Sequence, residues 1–435
     1  MLVEPEGTDA SASGPGRPHR GSPRGARRRT LRPVGRLSSR LLDPSRGAGI
    51  PAPGRSRSAL VPRWVVRALL LYLVSRLLVG AAVLMASGIA PPATGDEWFE
   101  RWDSFWYLTI ARDGYPDTIG PLSAERPYSP WAFFPLWPML VHGGGALLGG
   151  HPTLAAHLLN FLLAGVLTLL VRMLFAEVTD ERTADLGVLL FVFFPGTNVF
   201  SAAYSEPLAL CFAAATLLAL LRRRWLVAGL AASLAGATRP PVALAVFAAL
   251  AWAVLAALAR RDADGRRPWS ALLAPALAPL GLVAFAVYGW RRTGEPLAWH
   301  EAEKLFGNRI DFARSFATDV TRAISEDYRA PATGLAILVW LSVAMLLVLG
   351  VFLVRRPPPA LLTVYVLVVL AVPATTSALM PKARFLIAAF PLLLPLAGWL
   401  RERGRETVVG VVVGIEAALL VGFTMMHLLA TLAFP

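Results

Sequence analysis

Long apolar runs constrain this chain more than any other feature of its sequence. They fall at 66–88, 153–176, 184–200, 205–221, 225–238, 241–259, 270–289, 333–354, 359–379, 384–400 and 406–430. Several reach the roughly 17 to 25 residues that cross a hydrocarbon core of about 30 Å as a helix. They are continuous and lack the strict alternation of a membrane β-barrel. Composition agrees: 16% of residues are charged, against about 25% in soluble domains. The expectation is an all-α polytopic membrane protein of about eleven transmembrane helices.

Charge sets the orientation. Residues 1–67 hold fourteen arginines against Glu4, Glu6, Asp9 and Asp43, in a Gly-, Pro- and Ser-rich context. Segment 1–63 therefore reads as a disordered basic tail, and 64–435 as the membrane domain. A basic tail can bind nucleic acid, but this one is read as a cytoplasmic topology signal that touches anionic headgroups. No cleavable signal peptide is expected, because the first apolar run begins near Trp64. With the tail inside, the inner loops are "TDERTAD" (179–185), "RRRW" (222–225), "RRDADGRR" (260–267), "RRPPP" (355–359) and "RERGRE" (401–406). All but the first are markedly basic, as short cytoplasmic loops are. The single cysteine, Cys211, lies in an apolar run and is read as a buried, inert thiol.

Outer loops then fall at 91–152 and 290–332. Positions 91–126 carry seven acids against Arg101, Arg112 and Arg126, the reverse of the inner side. The run "FFPLWPMLVHGGGALLGG" (133–150) is apolar but broken by Pro135, Pro138 and glycines, which suits a re-entrant or interfacial segment. In "EWFERWDSFWYL" (97–108), Trp98, Trp102, Phe105 and Trp106 follow helical spacing. That pattern reads as an interfacial helix with Asp103 at the water–lipid boundary.

Four further motifs point to the outer side. "AYSEPL" (203–208) places Glu206 at the mouth of a helix. "GATRPP" (236–241) places Arg239 at the turn between two short apolar runs, and half-length helices of this kind often end at a site. "LMPKARFLIAAFPLL" (379–393) places Lys382 and Arg384 at the outer end of another helix. "LAWHEAEKLFGNR" (297–309) reads as an interfacial helix carrying His300. Taken singly, each arginine is also read as a snorkelling headgroup anchor. Together, beside a carboxylate, they match phosphate. There is no H-E-x-x-H, Walker, dinucleotide-binding, G-x-S-x-G or Cys-based metal motif.

The blocks "RWDSFWYLTIARDGY", "WAFFPLWPML", "AYSEPLALCF" and "LAGATRPPVAL", in this order, resemble the GPI mannosyltransferase 2 family (phosphatidylinositol-glycan class V) and its bacterial relatives. The likeness extends over about 66–430. It implies a GT-C glycosyltransferase that takes mannose from a polyprenyl-phosphate donor at the outer leaflet, with inversion. It also implies that Asp103 is the catalytic base. Many members of the wider superfamily carry a D-x-D or E-x-D pair in this loop; here Arg101 occupies the first position, which leaves a divalent metal possible but without motif support. The arginine-dominated sequence looks bacterial, where GPI is not expected; the acceptor, lipid-linked or of the cell envelope, is open.

The chemistry asks for the same groups. A carboxylate takes the acceptor's hydroxyl proton, and cations stabilise the leaving phosphate. Arg239 is expected first on the phosphate, with Arg384 and Lys382 next. Glu206, Tyr107, Tyr204 and His300 are expected on the sugar or acceptor, and Trp102, Trp106, Phe134 and Trp137 at the lipid or sugar entrance. The expected location is the cell membrane, with a cytoplasmic N-terminus and an extracytoplasmic site. The partners are a polyprenyl-phosphate sugar and a lipid or glycan acceptor, with no nucleic acid. A transporter or flippase, or an enzyme using another lipid-linked sugar, is the alternative.

Overall fold

A computed structural model describes residues 61–89, 101–123, 127–260, 265, 267–307, 312, 314, 318, 332–375, 383–402 and 405–429. Expectations for the basic tail, for Trp98 and for Lys382 lie outside the described residues.

Every regular element among the described residues is helical. In chain order they include α1 (Arg63–Ile89), α2 (Asp103–Asp113), α3 (Leu136–Leu147), α4 (Pro152–Val178), α5 (Glu181–Phe193), α6 (Glu206–Leu221), α7 (Trp225–Gly236) and α8 (Pro240–Leu258). After these come α9 (Leu273–Leu277), α10 (Leu280–Thr293), α11 (Ala298–Leu305), α12 (Ala332–Arg355), α13 (Ala360–Thr375), α14 (Ala383–Leu386), α15 (Leu393–Leu400) and α16 (Glu406–Leu429).

Among the described residues, all eleven apolar runs are built largely of helix, though not all of the same length. Among the described residues, five segments are long and apolar enough to cross a membrane: α1, α4, α8, the Trp269–Thr293 stretch and α16. A sixth forms if α5 and the 3-10 turn Pro195–Ser201, bent by 67°, are one span. Other apolar helices are shorter, among them α6, α7 and Arg384–Leu400, whereas α12 runs to 24 residues. Prolines at 195, 240 and 241 cut the runs, since proline removes a backbone donor and cannot continue a helix. Short helices survive at membrane depth where protein rather than lipid surrounds them, and α6 is buried along almost its whole length.

Two polar side chains that the hydropathy reading passed over hold the breaks. Arg76 of α1 donates to the carbonyl and hydroxyl of Thr197 (2.8 and 3.1 Å) and to Ser201 Oγ (3.0 Å). It thereby satisfies groups that the kink after Phe193 frees. Asn160 of α4, fully buried, donates to the carbonyls of Ala202 and Tyr204, fixing the turn that leads into α6. Close packing of small residues, the usual glue between membrane helices, sets the other side. A Cβ on Gly281 would lie 2.0 Å from the Ser233 carbonyl oxygen, so only glycine lets α10 approach α7 this closely.

Ion pairs mark one end of the bundle. Arg222 reaches Glu177 at 2.9 Å, Arg401 pairs with Asp180 and donates to Thr183 Oγ1 at 2.8 Å, and Arg356 pairs with Glu402. Loops 179–185, 222–225, 355–359 and 401–406 therefore gather together, as one shared side requires. The α6 helix and the Arg384–Leu400 stretch run from that end to the opposite one, where Glu206 and Arg384 stand.

At this opposite end the described parts of the two segments expected to be outer loops join. Tyr115, Trp131 and Phe134 pack on Phe285 of α10, and Phe134 also meets Trp299 of α11. The twelve-residue α3 spans only about 18 Å at 1.5 Å per residue. It leaves Met139, Leu140 and Leu147 exposed, as an interfacial or re-entrant piece would. The α2 helix is different. It begins at Asp103, so Trp102 precedes the helix, and it buries Trp106, Tyr107, Leu108, Ile110 and Ala111. Of the expected aromatic stripe, Trp106 is buried against Tyr128, Phe133 and Phe306, while Trp102 and Phe105 stay half-buried.

Candidate active site

Asp103 opens α2, where the helix dipole favours a carboxylate. The residue before it, Trp102, has φ 58°, a strained conformation for a bulky side chain. The kink turns the chain sharply into the helix and sets Asp103 in its first turn. Arg384 donates from Nη1 to Asp103 Oδ2 at 2.8 Å across 281 residues of sequence. Its guanidinium lies over the rings of Phe385 (4.8 Å) and Tyr204 (5.3 Å). The Tyr204 hydroxyl in turn lies at the backbone amide of Asp103.

A second pair stands beside the first. Arg239 Nη2 lies 3.2 Å from Glu206 Oε1, with side-chain exposures of 13% and 5%. Arg239 adopts extended backbone (φ −158°, ψ 109°), as a residue before proline must, and Pro240 starts α8 at a position suited to proline. Its Nη1 donates to Ser205 Oγ at 3.3 Å, and Ser205 Oγ is 2.7 Å from the Tyr107 hydroxyl. Arg239 also feels the charges of Arg384 and Asp103, and its guanidinium shares the Phe385 ring at 6.0 Å. Burial pushes the Tyr107 phenol well up, with Glu206 and Asp103 adding to the rise and Arg239 and Ser205 opposing it. Tyr107 is thus a neutral hydrogen-bonding group within the cluster.

Of the site residues expected from sequence, Asp103, Arg239, Arg384, Glu206, Tyr107 and Tyr204 come together. Ser205 and Phe385 belong with them and were not foreseen. Ser205 sits inside the quoted "AYSEPL" block, but a lone serine carries no signal of its own. His300 lies elsewhere: it is exposed on α11 and meets Trp299 edge-on.

The aromatics expected at the entrance are packed to different depths. Trp137 is fully buried and donates Nε1–H to the Ala203 carbonyl at 3.1 Å. Phe134 is 1% exposed and packs on Phe285. Both buttress the interior: Trp137 is enclosed by α2, α4 and the start of α6, and Phe134 by α10 and α11. Trp106 is buried too, stacked on Phe133 at 5.9 Å and edge-on to Phe306. Trp102 is half-buried against the main core.

Arg101, at the position where a paired acid is absent, donates to the Leu428 carbonyl at 2.5 Å. It closes the end of α16 rather than entering the ion-pair cluster. Cys211 is buried, with Sγ directed at the Leu163 carbonyl. Among the described residues, no group of three or more His, Cys, Asp or Glu side chains is placed to hold a metal ion.

Fold and site together define a polytopic all-helical membrane protein with a buried double ion pair at one end of its bundle. No family model and no curated protein matches the chain. Solved structures of the Archaeoglobus fulgidus oligosaccharyltransferase are similar to it. The apo form aligns at 14% identity over 82% of this chain and 56% of that one, with a TM-score of 0.43. The form tethered to an acceptor peptide aligns at 15% identity over 82% and 55%, with a TM-score of 0.40. The complex of the archaeal enzyme with an inhibitory peptide and a dolichol-phosphate gives 14%, 81%, 55% and 0.38. The matched region spans about half the length of the archaeal enzyme.

Proposed function

We propose that this chain is a GT-C-type membrane glycosyltransferase that moves mannose from a polyprenyl-phosphate donor to a lipid-linked or cell-envelope acceptor on the extracytoplasmic side. One observation carries the reading: a carboxylate and two arginines, distant in sequence, meet at the end of the bundle opposite the basic loops. Loop charge makes that basic end cytoplasmic.

Asp103 is the base. It takes the acceptor hydroxyl proton as the acceptor oxygen bonds to the sugar's anomeric carbon. The bond from that carbon to the phosphate oxygen breaks, and its electron pair leaves with the phosphate. General-base assistance of this kind is worth about 10²- to 10⁴-fold. Arg239 and Arg384 stabilise the charge that develops on the phosphate, where fixed donors act best because water is scarce. Glu206 holds Arg239. Mannose is the sugar favoured by the motif resemblance to the GPI mannosyltransferase 2 family.

The test is sugar transfer by the purified protein in lipid nanodiscs, with polyprenyl-phosphate mannose, glucose and arabinose as donors. Transfer from the mannose donor, lost in Asp103→Asn, supports the reading. Turnover by Asp103→Asn equal to that of the parent removes the base. Substrate flux across vesicles with no transfer from any donor replaces the enzyme with a transporter.

A further inference from the structure

The double ion pair has a property that the sequence reading left out: neither of its arginines is free. Arg384 is bound to Asp103 and Arg239 to Glu206, so the four charges sum to zero. An incoming phosphate has to win a guanidinium from a carboxylate.

The two pairs are not equally held. Arg239 has Glu206 on one nitrogen and Ser205 on another, and Ser205 is tied to Tyr107. Glu206 is 5% exposed, and a buried carboxylate stripped of its only cation is strongly disfavoured. Arg384 makes one hydrogen bond, to Asp103, and rests otherwise on the faces of two rings. Its Nε is buried with no hydrogen-bond partner, so one donor stands ready for an oxygen atom. Asp103 is 23% exposed and sits in the first turn of a helix, where solvent and backbone amides can receive it. The pair that can open is therefore Arg384 with Asp103.

We propose that the phosphate of a donor displaces Asp103 from Arg384, so that donor binding is the event that frees the carboxylate to act on the acceptor. This rests on the function proposed above. A carboxylate in an ion pair gives up that pair when it accepts a proton. A phosphate oxygen on Arg384 compensates the arginine in its place and leaves Asp103 beside the sugar. Arg384, rather than Arg239, is then the first contact of the phosphate, while Arg239 with Glu206 forms the fixed wall. An acceptor arriving before the donor meets an occupied base.

The test is binding without turnover. Farnesyl phosphate, inorganic phosphate and farnesol are titrated calorimetrically against the full-length protein in nanodiscs. The proteins are the parent, Asp103→Asn, Arg384→Gln and the double variant. Removing the competing carboxylate tightens farnesyl phosphate binding about fivefold in Asp103→Asn, the upper end of what a partly screened pair is worth. The gain disappears in the double variant, and farnesol does not bind. A gain of the same size with inorganic phosphate also supports the displacement, while making free phosphate the ligand. Equal farnesyl phosphate affinity in the parent and Asp103→Asn overturns the displacement and leaves the glycosyltransferase reading standing. No binding of either phosphate by any protein overturns both.

Should Asp103→Asn fail to fold, the parent carries the test alone. Farnesyl phosphate increases labelling of Asp103 by a water-soluble carbodiimide, read by mass spectrometry. Unchanged labelling at saturating ligand refutes the displacement.

Discussion

Replacing Arg239 by Met isolates the energetics of the deeper ion pair. The substitution keeps much of the side chain's volume and removes its charge, so Glu206 stays buried without its cation. Three observations set the size of the effect. The pair lies at 3.2 Å, both partners are largely shielded from solvent, and neither Glu206 oxygen has a hydrogen bond to fall back on. Two unit charges about 4 Å apart attract by about 4 kcal/mol at an effective dielectric constant near 20. Breaking one side of a buried pair costs about 3 to 5 kcal/mol in comparable cases. The two routes agree, and Arg239→Met is expected to lose about 4 kcal/mol.

The decisive comparison is the double variant Arg239→Met with Glu206→Gln. It removes both charges and should recover most of the loss, because neutral replacement of a buried pair is often close to free. Reversible unfolding in mixed micelles, followed by tryptophan fluorescence, measures all three variants. If Arg239→Met alone loses under about 1 kcal/mol, the pair is solvated and the closed site is wrong. If the double variant is no better than the single one, the loss comes from packing against Phe385 instead of from the stranded carboxylate.

Three other outcomes follow from the same structure. Gly281→Ala should lower stability by about 1 to 3 kcal/mol or more, because its Cβ collides with the Ser233 carbonyl; the same unfolding assay reads it, and Gly143→Ala, inside α3 with open space around it, is the control expected to gain up to about 1 kcal/mol. Arg76→Leu should cost about 1 to 3 kcal/mol through the stranded Thr197 and Ser201 groups, and limited proteolysis should find new cleavage near residues 194–202. Asp180 is partly raised in pKa by burial, but the Thr183 hydroxyl and amide and Arg401 outweigh this and hold it below the usual carboxylate value. A carboxyl depressed on folding adds stability above its unfolded pKa and loses it as pH falls through the folded one. Asp180→Asn should therefore flatten the acid side of the stability profile and leave neutral-pH activity intact.

How much of this was legible in the sequence follows from what each signal depends on. Apolar run length is a local property, so each of the eleven runs could be read as helix from the order of residues alone. Loop charge is local as well, and among the described residues Arg222, Arg356 and Arg401 of three basic loops gather at one end. The motifs containing Asp103, Glu206, Arg239 and Arg384 stood out because charged residues flanking apolar runs are costly unless they have a use. Depth and partnership are not local. Whether Trp106 and Phe134 met lipid or protein depended on the 298–306 segment folding over them from more than 150 positions away, and Trp137 was buried by α2, α4 and the start of α6. The pairing of Asp103 with Arg384 across 281 residues, and the choice of Ser205 and Phe385 as their supports, came only from helices crossing in three dimensions. Sequence order determined which segments are apolar helices; tertiary packing decided which charges meet, because a low-dielectric interior admits an arginine only where the fold brings it a counter-charge.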